Sequence, residues 1–409
     1  MSRSVTSYVV VGAGLAGAGA VRTLREEGFE GPVTLVGQEP HPPYERPALS
    51  KGYLQGTQDR DSAFVHPRQW YAEQGIELRT GATVVGVAPG TREVALGDGT
   101  RISYTALLLA TGATPRHLPI PGTDLRGVLH LRTLDDAERL REAIGSARRV
   151  ALVGGGWIGL EVAAAARLAG REVTVLEQGA LPLVGVLGPR IAEVFAGLHR
   201  EHGVDVRTGV RVESLLGAGG EVSGVRLADG GIVPADLVLV AVGASPSTAL
   251  ARSMGLAVDG GILVDASLRS SDPHVFAAGD VASAQHPVLG ARIRVEHWAN
   301  ALHQGPAAAR SMLGQAVTYD RLPYFYTDQY DLGMEYTGHV APDTPTEVVL
   351  RGDLAAREFI AFWTSGERVL AAMAVNTWDT MPALQDLIAS RRPVGHGRLA
   401  DPGVTLDAL

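Results

Sequence analysis

Residues 9–17 read Val-Val-Val-Gly-Ala-Gly-Leu-Ala-Gly, and a run of small residues from Ala18 to Arg25 follows. A β-branched run ending in three glycines at this spacing predicts a buried strand that turns sharply into a helix. Gly12 makes the turn, Gly14 lets backbone approach a pyrophosphate, and Gly17 lets helix and strand pack closely. Leu15 and Ala16 complete the candidate loop. Three glycines mean little in a chain with 51 of them. The pattern gains weight because residues 150–159 repeat it as Val-Ala-Leu-Val-Gly-Gly-Gly-Trp-Ile-Gly, with Gly154, Gly156 and Gly159 in register. Trp157 and Ile158 stand where Leu15 and Ala16 stand in the first copy. Two such loops imply two dinucleotides, held so that one can reduce the other.

A chain of 409 residues is too long for one ordinary core, so two or three domains are expected. Charged residues at 20% and apolar residues at 45% fit a soluble globular protein. No apolar run of about 18 residues occurs, so no membrane span is expected. Met1–Ser7 is short and polar and leads at once into the first strand, which leaves no room for a signal peptide. The cytoplasm is the expected location. A net charge of −8 without a Lys/Arg cluster argues against nucleic acid. No His/Asp/Glu spacing suggests a metal site.

Cysteine is absent. That excludes the redox-active pair of flavoprotein disulfide reductases and the single thiol of flavoprotein peroxidases. If a flavin is present, it must give its electrons directly to an external acceptor. Among 36 basic residues, Lys51 is the only lysine. An Arg-favouring base composition explains the arginines but not the exception, because a compact ammonium and a planar guanidinium are not interchangeable.

Val33–Val36 reads as the second strand of the first βαβ unit, and an acid normally follows such a strand to accept ribose hydroxyls. Here Gly37-Gln38-Glu39 follows, and either Gln38 or Glu39 fits that role. Residues 42–54, Pro-Pro-Tyr-Glu-Arg-Pro-Ala-Leu-Ser-Lys-Gly-Tyr-Leu, predict a rigid loop leading into a short helix that carries Ser50 and Lys51. Asp98-Gly99 signals a hairpin. The apolar strand Ala106–Ala110 ends in Thr111-Gly112, where the chain leaves the first domain. In the second copy, Val173–Leu176 matches Val33–Val36, Glu177 follows directly, and Leu237–Gly243 matches Leu107–Gly112. The Tyr44–Lys51 stretch has no counterpart there, and such additions tend to carry function. Beyond Gly243 the chain is expected to return to the first domain through Ala278-Gly279-Asp280 and an Ala-rich helix reaching Gly314. A small α+β domain starts near Leu322 and ends in a helix near Leu384–Ser390. Residues 391–409 are expected to lack structure.

The chain resembles the FAD-dependent, NADH-using ferredoxin reductases of oxygenase systems. The resemblance runs nearly end to end, through Gly12–Gly17, Pro43–Leu54, Leu107–Pro121, Leu131–Glu138, Gly154–Glu161, Ala278–Asp280, Glu296–Gln304 and Pro323–Gln329. It implies an α/β, glutathione-reductase-type fold with two dinucleotide-binding domains and a C-terminal α+β domain. The FAD domain would comprise residues 1–113 and 243–321, the NAD domain 114–242 and the last domain 322–409. It implies FAD and NADH as cofactors and a 2Fe-2S ferredoxin as a transient partner, which feeds a haem-thiolate monooxygenase or a ring-hydroxylating dioxygenase. A monomer or weak dimer is expected.

Carried residue by residue, the resemblance places Lys51 beside the isoalloxazine, paired with Glu161. Asp280 would bind the ribityl chain, Arg132 and Val84 would line the FAD site, and Trp298 would flank the flavin. Arg46, Ala110, Thr111, Gly112, Gly243 and Gly279 fall in the same matched stretches or at their counterparts in the repeat. Each role has a plainer alternative: Glu161 complementing a helix dipole, Asp280 capping a helix, Trp298 packing in a core. His297 and His303 read as ordinary surface or packing residues. Glu177 is expected to accept both hydroxyls of the NAD ribose and to repel the extra phosphate of NADP. The family often carries arginines where Leu181 and Gly185 stand, and tryptophans where Tyr324 and Tyr326 stand. Relatives with known partners often carry basic residues where this chain has Pro306 and Ala307, so the site for an acidic ferredoxin is expected to be weaker or to be built from other arginines, such as Arg292, Arg294 or Arg310. A rubredoxin or quinone reductase on the same scaffold, and a redox-sensing flavoprotein similar to apoptosis-inducing factor, are the competing readings.

Overall fold

A computed structural model describes residues 6–409; most of the Met1–Ser7 stretch lies outside the described residues. Tyr8–Val11 is buried at every position, which suits the centre of a parallel sheet covered on both faces. Its neighbours are Val33–Val36, then Ile76–Arg79 on one side, and Ala106–Leu109, then Val275–Ala277 on the other. All four pairings are parallel. The second unit repeats this order around Arg149–Val153. Glu172–Leu176 and Asp205–Arg207 lie on one side, Leu237–Val240 and Val128–Leu129 on the other.

The outermost strand distinguishes the copies. In the first sheet it arrives late in the chain, at Val275–Ala277, so the segment after residue 243 does return to the first unit. Each unit also carries a three-stranded antiparallel sheet, Val84–Ser103 in one and Val212–Pro234 in the other. Ala113–Pro115 and Ala244–Pro246 pair antiparallel where the chain leaves the first unit and re-enters it. The returning helix Trp298–Met312 crosses the Leu15–Glu26 helix closely; a Cβ on Gly305 would lie 2.1 Å from the Ala16 carbonyl oxygen.

The last unit is an antiparallel sheet of five strands between Tyr324 and Val375. The Met381–Ser390 helix buries Met381, Leu384, Leu387 and Ile388 against it. Residues 391–409 depart from expectation. They form a short helix, His396–Ala400, and a 3-10 turn, Leu406–Ala408, and bury Leu399 and Leu409. Two sparse leucines suffice because a finished apolar surface is already there to receive them.

The stretch expected to hold Ser50 and Lys51 on one short helix is split. A 3-10 turn spans Arg46–Ser50 and a helical turn spans Gly52–Gln55, with Lys51 between them at φ −117°, ψ −117°. The break turns both side chains toward one carboxylate. Among the described residues no helix is long and apolar enough to cross a membrane.

Candidate active site

Both glycine loops have the geometry a pyrophosphate requires. Gly12 lies at φ +116°, and a Cβ there would sit 2.0 Å from the Ala110 carbonyl oxygen. A Cβ on Gly17 would sit 2.1 Å from the Gly12 oxygen. The second loop repeats both contacts: Gly154 at φ +105° and 2.4 Å from the Ala241 oxygen, Gly159 at 2.2 Å from the Gly154 oxygen. At Gly14 and Gly156, by contrast, a Cβ would meet nothing within 4 Å. The outer glycines close the turn and the middle one leaves open space at a helix N-terminus, where backbone N–H groups favour an anion. These residues fit the phosphates of FAD and of NADH.

Around the first loop, Arg132 donates to Asp280 at 2.6 Å, and the Gly279 N–H donates to Gln304 Oε1 at 2.9 Å. Asp280 therefore sits in a 3-10 turn with a cationic partner rather than serving as a helix cap. Thr111 donates to the Ser247 carbonyl at 2.8 Å, while Gly112 and Gly243 hold φ of +66° and +95° where the two units join. Ala110 is buried, and Val84 packs half-buried against the first core. Glu39 is held by Arg46 at 3.0 Å and accepts a hydrogen bond from the buried Tyr44 hydroxyl. Arg46 also donates to the Arg132 carbonyl. Gln38 is exposed and has no such anchor. Of the two candidates for the ribose, Glu39 is the one whose position is fixed.

Lys51 and Glu161 meet as expected, with Nζ 2.5 Å from Oε1. The lysine side chain is 16% exposed and the glutamate 5%. Glu161 lies on the Trp157–Leu168 helix, yet it accepts hydrogen bonds from Ser50, Lys51 and Thr327, so a dipole role alone does not describe it. The pair consumes one of the three N–H donors of the ammonium. Lys51 Nζ also lies 5.2 Å from the centre of the Tyr326 ring, a cation–π distance. Trp298 packs edge-on against Tyr326 at 6.1 Å, and its Nε1 is buried without a partner. Burial pushes the Tyr326 hydroxyl up to about 12 and raises the Asp328 carboxyl, with Lys51 opposing the latter.

Of the two expectations for His297, surface or packing, the second holds. Its ring lies 4.5 Å from Phe325, its Nδ1 is buried without a partner, and burial pushes it down to about 4.

In the second loop Glu177 accepts the Gly155 N–H at 2.7 Å and the Gly179 N–H at 2.6 Å, one on each oxygen. Each oxygen keeps a lone pair for a ribose hydroxyl. The Trp157 ring packs between Phe195 and Phe325 at 5.4 and 5.1 Å, joining the second unit to the last one. Ile158 is 43% exposed at the start of the helix, open to a ligand.

The sequence profile of the pyridine nucleotide-disulphide oxidoreductase family matches residues 6–305. The chain belongs to that family. A second profile, the C-terminal domain of reductases, matches residues 324–409. A probable ferredoxin reductase of Castellaniella defragrans is 40% identical to this oxidoreductase, covering 98% of each chain. The rhodocoxin reductase of Rhodococcus erythropolis is 38% identical, covering 97% of this chain and 92% of its own. Among solved structures, the reductase in the covalent putidaredoxin reductase–putidaredoxin complex superimposes with a TM-score of 0.94 at 36% identity, covering 98% of this chain and 97% of that one.

Ser50, Tyr326 and Thr327 complete the Lys51–Glu161 cluster. The sequence marks Ser50 only as the neighbour of Lys51 and Tyr326 only as a departure from tryptophan, and Thr327 has no signal beyond the matched stretch Pro323–Gln329.

Proposed function

We propose that this oxidoreductase is a cytoplasmic NADH:ferredoxin reductase, active as a monomer or weak dimer. It supplies a 2Fe-2S ferredoxin that feeds a haem-thiolate monooxygenase or a ring-hydroxylating dioxygenase. One observation carries this reading. The only lysine of a thiol-free chain reaches from the inserted loop of the first unit to a buried carboxylate two residues past the last glycine of the second cradle.

The Gly12–Gly17 loop, Asp280 and Arg132 would hold FAD, which would supply the chemistry that matches a two-electron hydride donor to a one-electron carrier. The polypeptide does the rest. Gly12–Gly17 and Gly154–Gly159 seat the two phosphate groups, Asp280 and Arg132 orient the first nucleotide, and Glu177 orients the second through its ribose. Glu161 holds the Lys51 ammonium where negative charge develops, and Trp298 and Tyr326 keep water from that place. With no cysteine to receive them, electrons leave outward to the carrier.

Glu177 makes the reading testable. A carboxylate there repels a ribose phosphate, so kcat/KM should be at least about tenfold higher with NADH than with NADPH, a difference of roughly 1.4 kcal/mol. Steady-state assays with purified ferredoxin, rubredoxin and quinone as alternative acceptors check both halves. Equal efficiency with NADPH contradicts the role of Glu177, and faster turnover with rubredoxin or quinone contradicts the choice of carrier.

A further inference from the structure

Glu161 is the end point of a longer buried chain. Thr327 Oγ1 lies 2.6 Å from Glu161 Oε1, Gln329 Nε2 lies 3.2 Å from Thr327 Oγ1, and His199 Nε2 lies 2.9 Å from Gln329 Oε1. Glu161, Thr327, Gln329 and His199 are all buried. The chemistry of the groups fixes the direction of every proton. A carboxylate only accepts here, so the Thr327 hydroxyl donates to it and must accept from Gln329. The Gln329 amide then turns its N–H₂ to Thr327 and its oxygen to His199. An amide oxygen only accepts, so His199 Nε2 carries the hydrogen. Its Nδ1 is bare and has no partner, and burial keeps the ring neutral. All three donors point toward Glu161.

The chain joins separate parts of the molecule. His199 lies on the Pro189–Glu201 helix of the second unit, and Thr327 and Gln329 lie on the first strand of the last unit. Lys51 comes from the first unit, and Glu161 from the second. Buried polar groups of this number are costly unless they are paired; here three hydrogen bonds join the four side chains, leaving only the terminal His199 Nδ1 unpaired among the described residues, and so hold Thr327 and Gln329 in one arrangement. From this geometry we infer that Thr327 and Gln329 are positioning residues for the reaction, with His199 as the terminal donor. They fix the Glu161 carboxylate, and through it they set where the Lys51 ammonium stands.

The inference rests on the reading that Lys51 acts at the flavin, and the two fail differently. If that reading fails, Lys51→Met leaves flavin reduction by NADH unchanged. If the chain fails, Lys51 does not respond to changes made at Thr327 and Gln329. The composition supplies a direct probe of the second case, because Lys51 is the only lysine. Protein carrying ¹⁵N at the lysine Nζ shows one side-chain ammonium resonance.

The experiment uses the FAD-loaded protein. Thr327→Val removes the hydroxyl at nearly constant shape. It should move the Nζ resonance and slow the limiting rate of flavin reduction about tenfold, with the NADH dependence changed less than about twofold; loss of a hydrogen bond to a charged group is of that size. Thr327→Ser should restore both. Gln329→Met breaks the chain one link further away; it should move the same resonance in the same direction and slow reduction by less. It also serves if Thr327→Val does not fold. A resonance unmoved in the folded variants, with only a lower melting temperature, overturns the inference in favour of a purely structural chain. A resonance that moves while the reduction rate stays unchanged overturns the link to the reaction.

Discussion

Lys51→Met is expected to slow the reduction of bound FAD by NADH by roughly 10- to 150-fold. That range corresponds to the about 1.5–3 kcal/mol by which a hydrogen bond to a charged group stabilises its partner. Methionine matches the length of the stem and removes the ammonium. The 2.5 Å contact with Glu161 is lost, while Ser50 and Thr327 still donate to that carboxylate. The variant should therefore fold and remain yellow. Its defect should appear in the limiting rate of flavin bleaching in anaerobic stopped flow, not in the NADH concentration needed for half the effect. An unchanged limiting rate in a yellow variant removes Lys51 from the chemistry.

The second large effect separates the two cradles. Gly14 and Gly156 have ordinary backbone angles, φ −93° and φ −78°, and a Cβ at either would meet no protein atom within 4 Å. Alanine at either position should leave the fold intact. What the methyl group does occupy is the space for a phosphate. Gly14→Ala is expected to purify with little or no FAD and a much weaker affinity for added FAD. Gly156→Ala should stay yellow while its KM for NADH rises. Overpacking of this kind costs about 1–3 kcal/mol, or roughly 5- to 150-fold in affinity. Flavin absorbance per protein chain and the NADH dependence of activity read the two outcomes separately. The reverse assignment, or a fully yellow Gly14→Ala protein with normal FAD affinity, contradicts the placement of FAD in the first loop.

These expectations trace back to features of very different visibility. The glycine loops could be read from sequence because backbone geometry admits no other residue: a carbonyl oxygen lies where the Cβ of Gly12, Gly17, Gly154 or Gly159 would be. The Lys51–Glu161 pair spans 110 positions and obeys no local rule. Only the resemblance joined the two residues. Thr327 and Gln329 lie in the matched stretch Pro323–Gln329 but carry no pattern that marks their role, and His199 lies in none, since their meaning comes from a packing of units that the sequence does not order.

The misread tail belongs to the same class. Its Pro- and Gly-rich composition suggested no structure, but Leu399 and Leu409 are captured by a core built from earlier strands. Sequence alone leaves Gln38 and Glu39 equivalent, because what fixes Glu39 is its contact with Tyr44 and Arg46 of the inserted loop.

Two nucleotides meeting at Lys51 would pass electrons to a carrier outside the chain. Anaerobic titration of the purified protein with NADH, followed by a 2Fe-2S ferredoxin, tests this most directly. The account predicts a yellow protein whose flavin absorbance bleaches with one equivalent of NADH and returns as two equivalents of oxidised ferredoxin are added. A protein that stays colourless after FAD is supplied, or a bleached flavin that the ferredoxin leaves reduced, would contradict it.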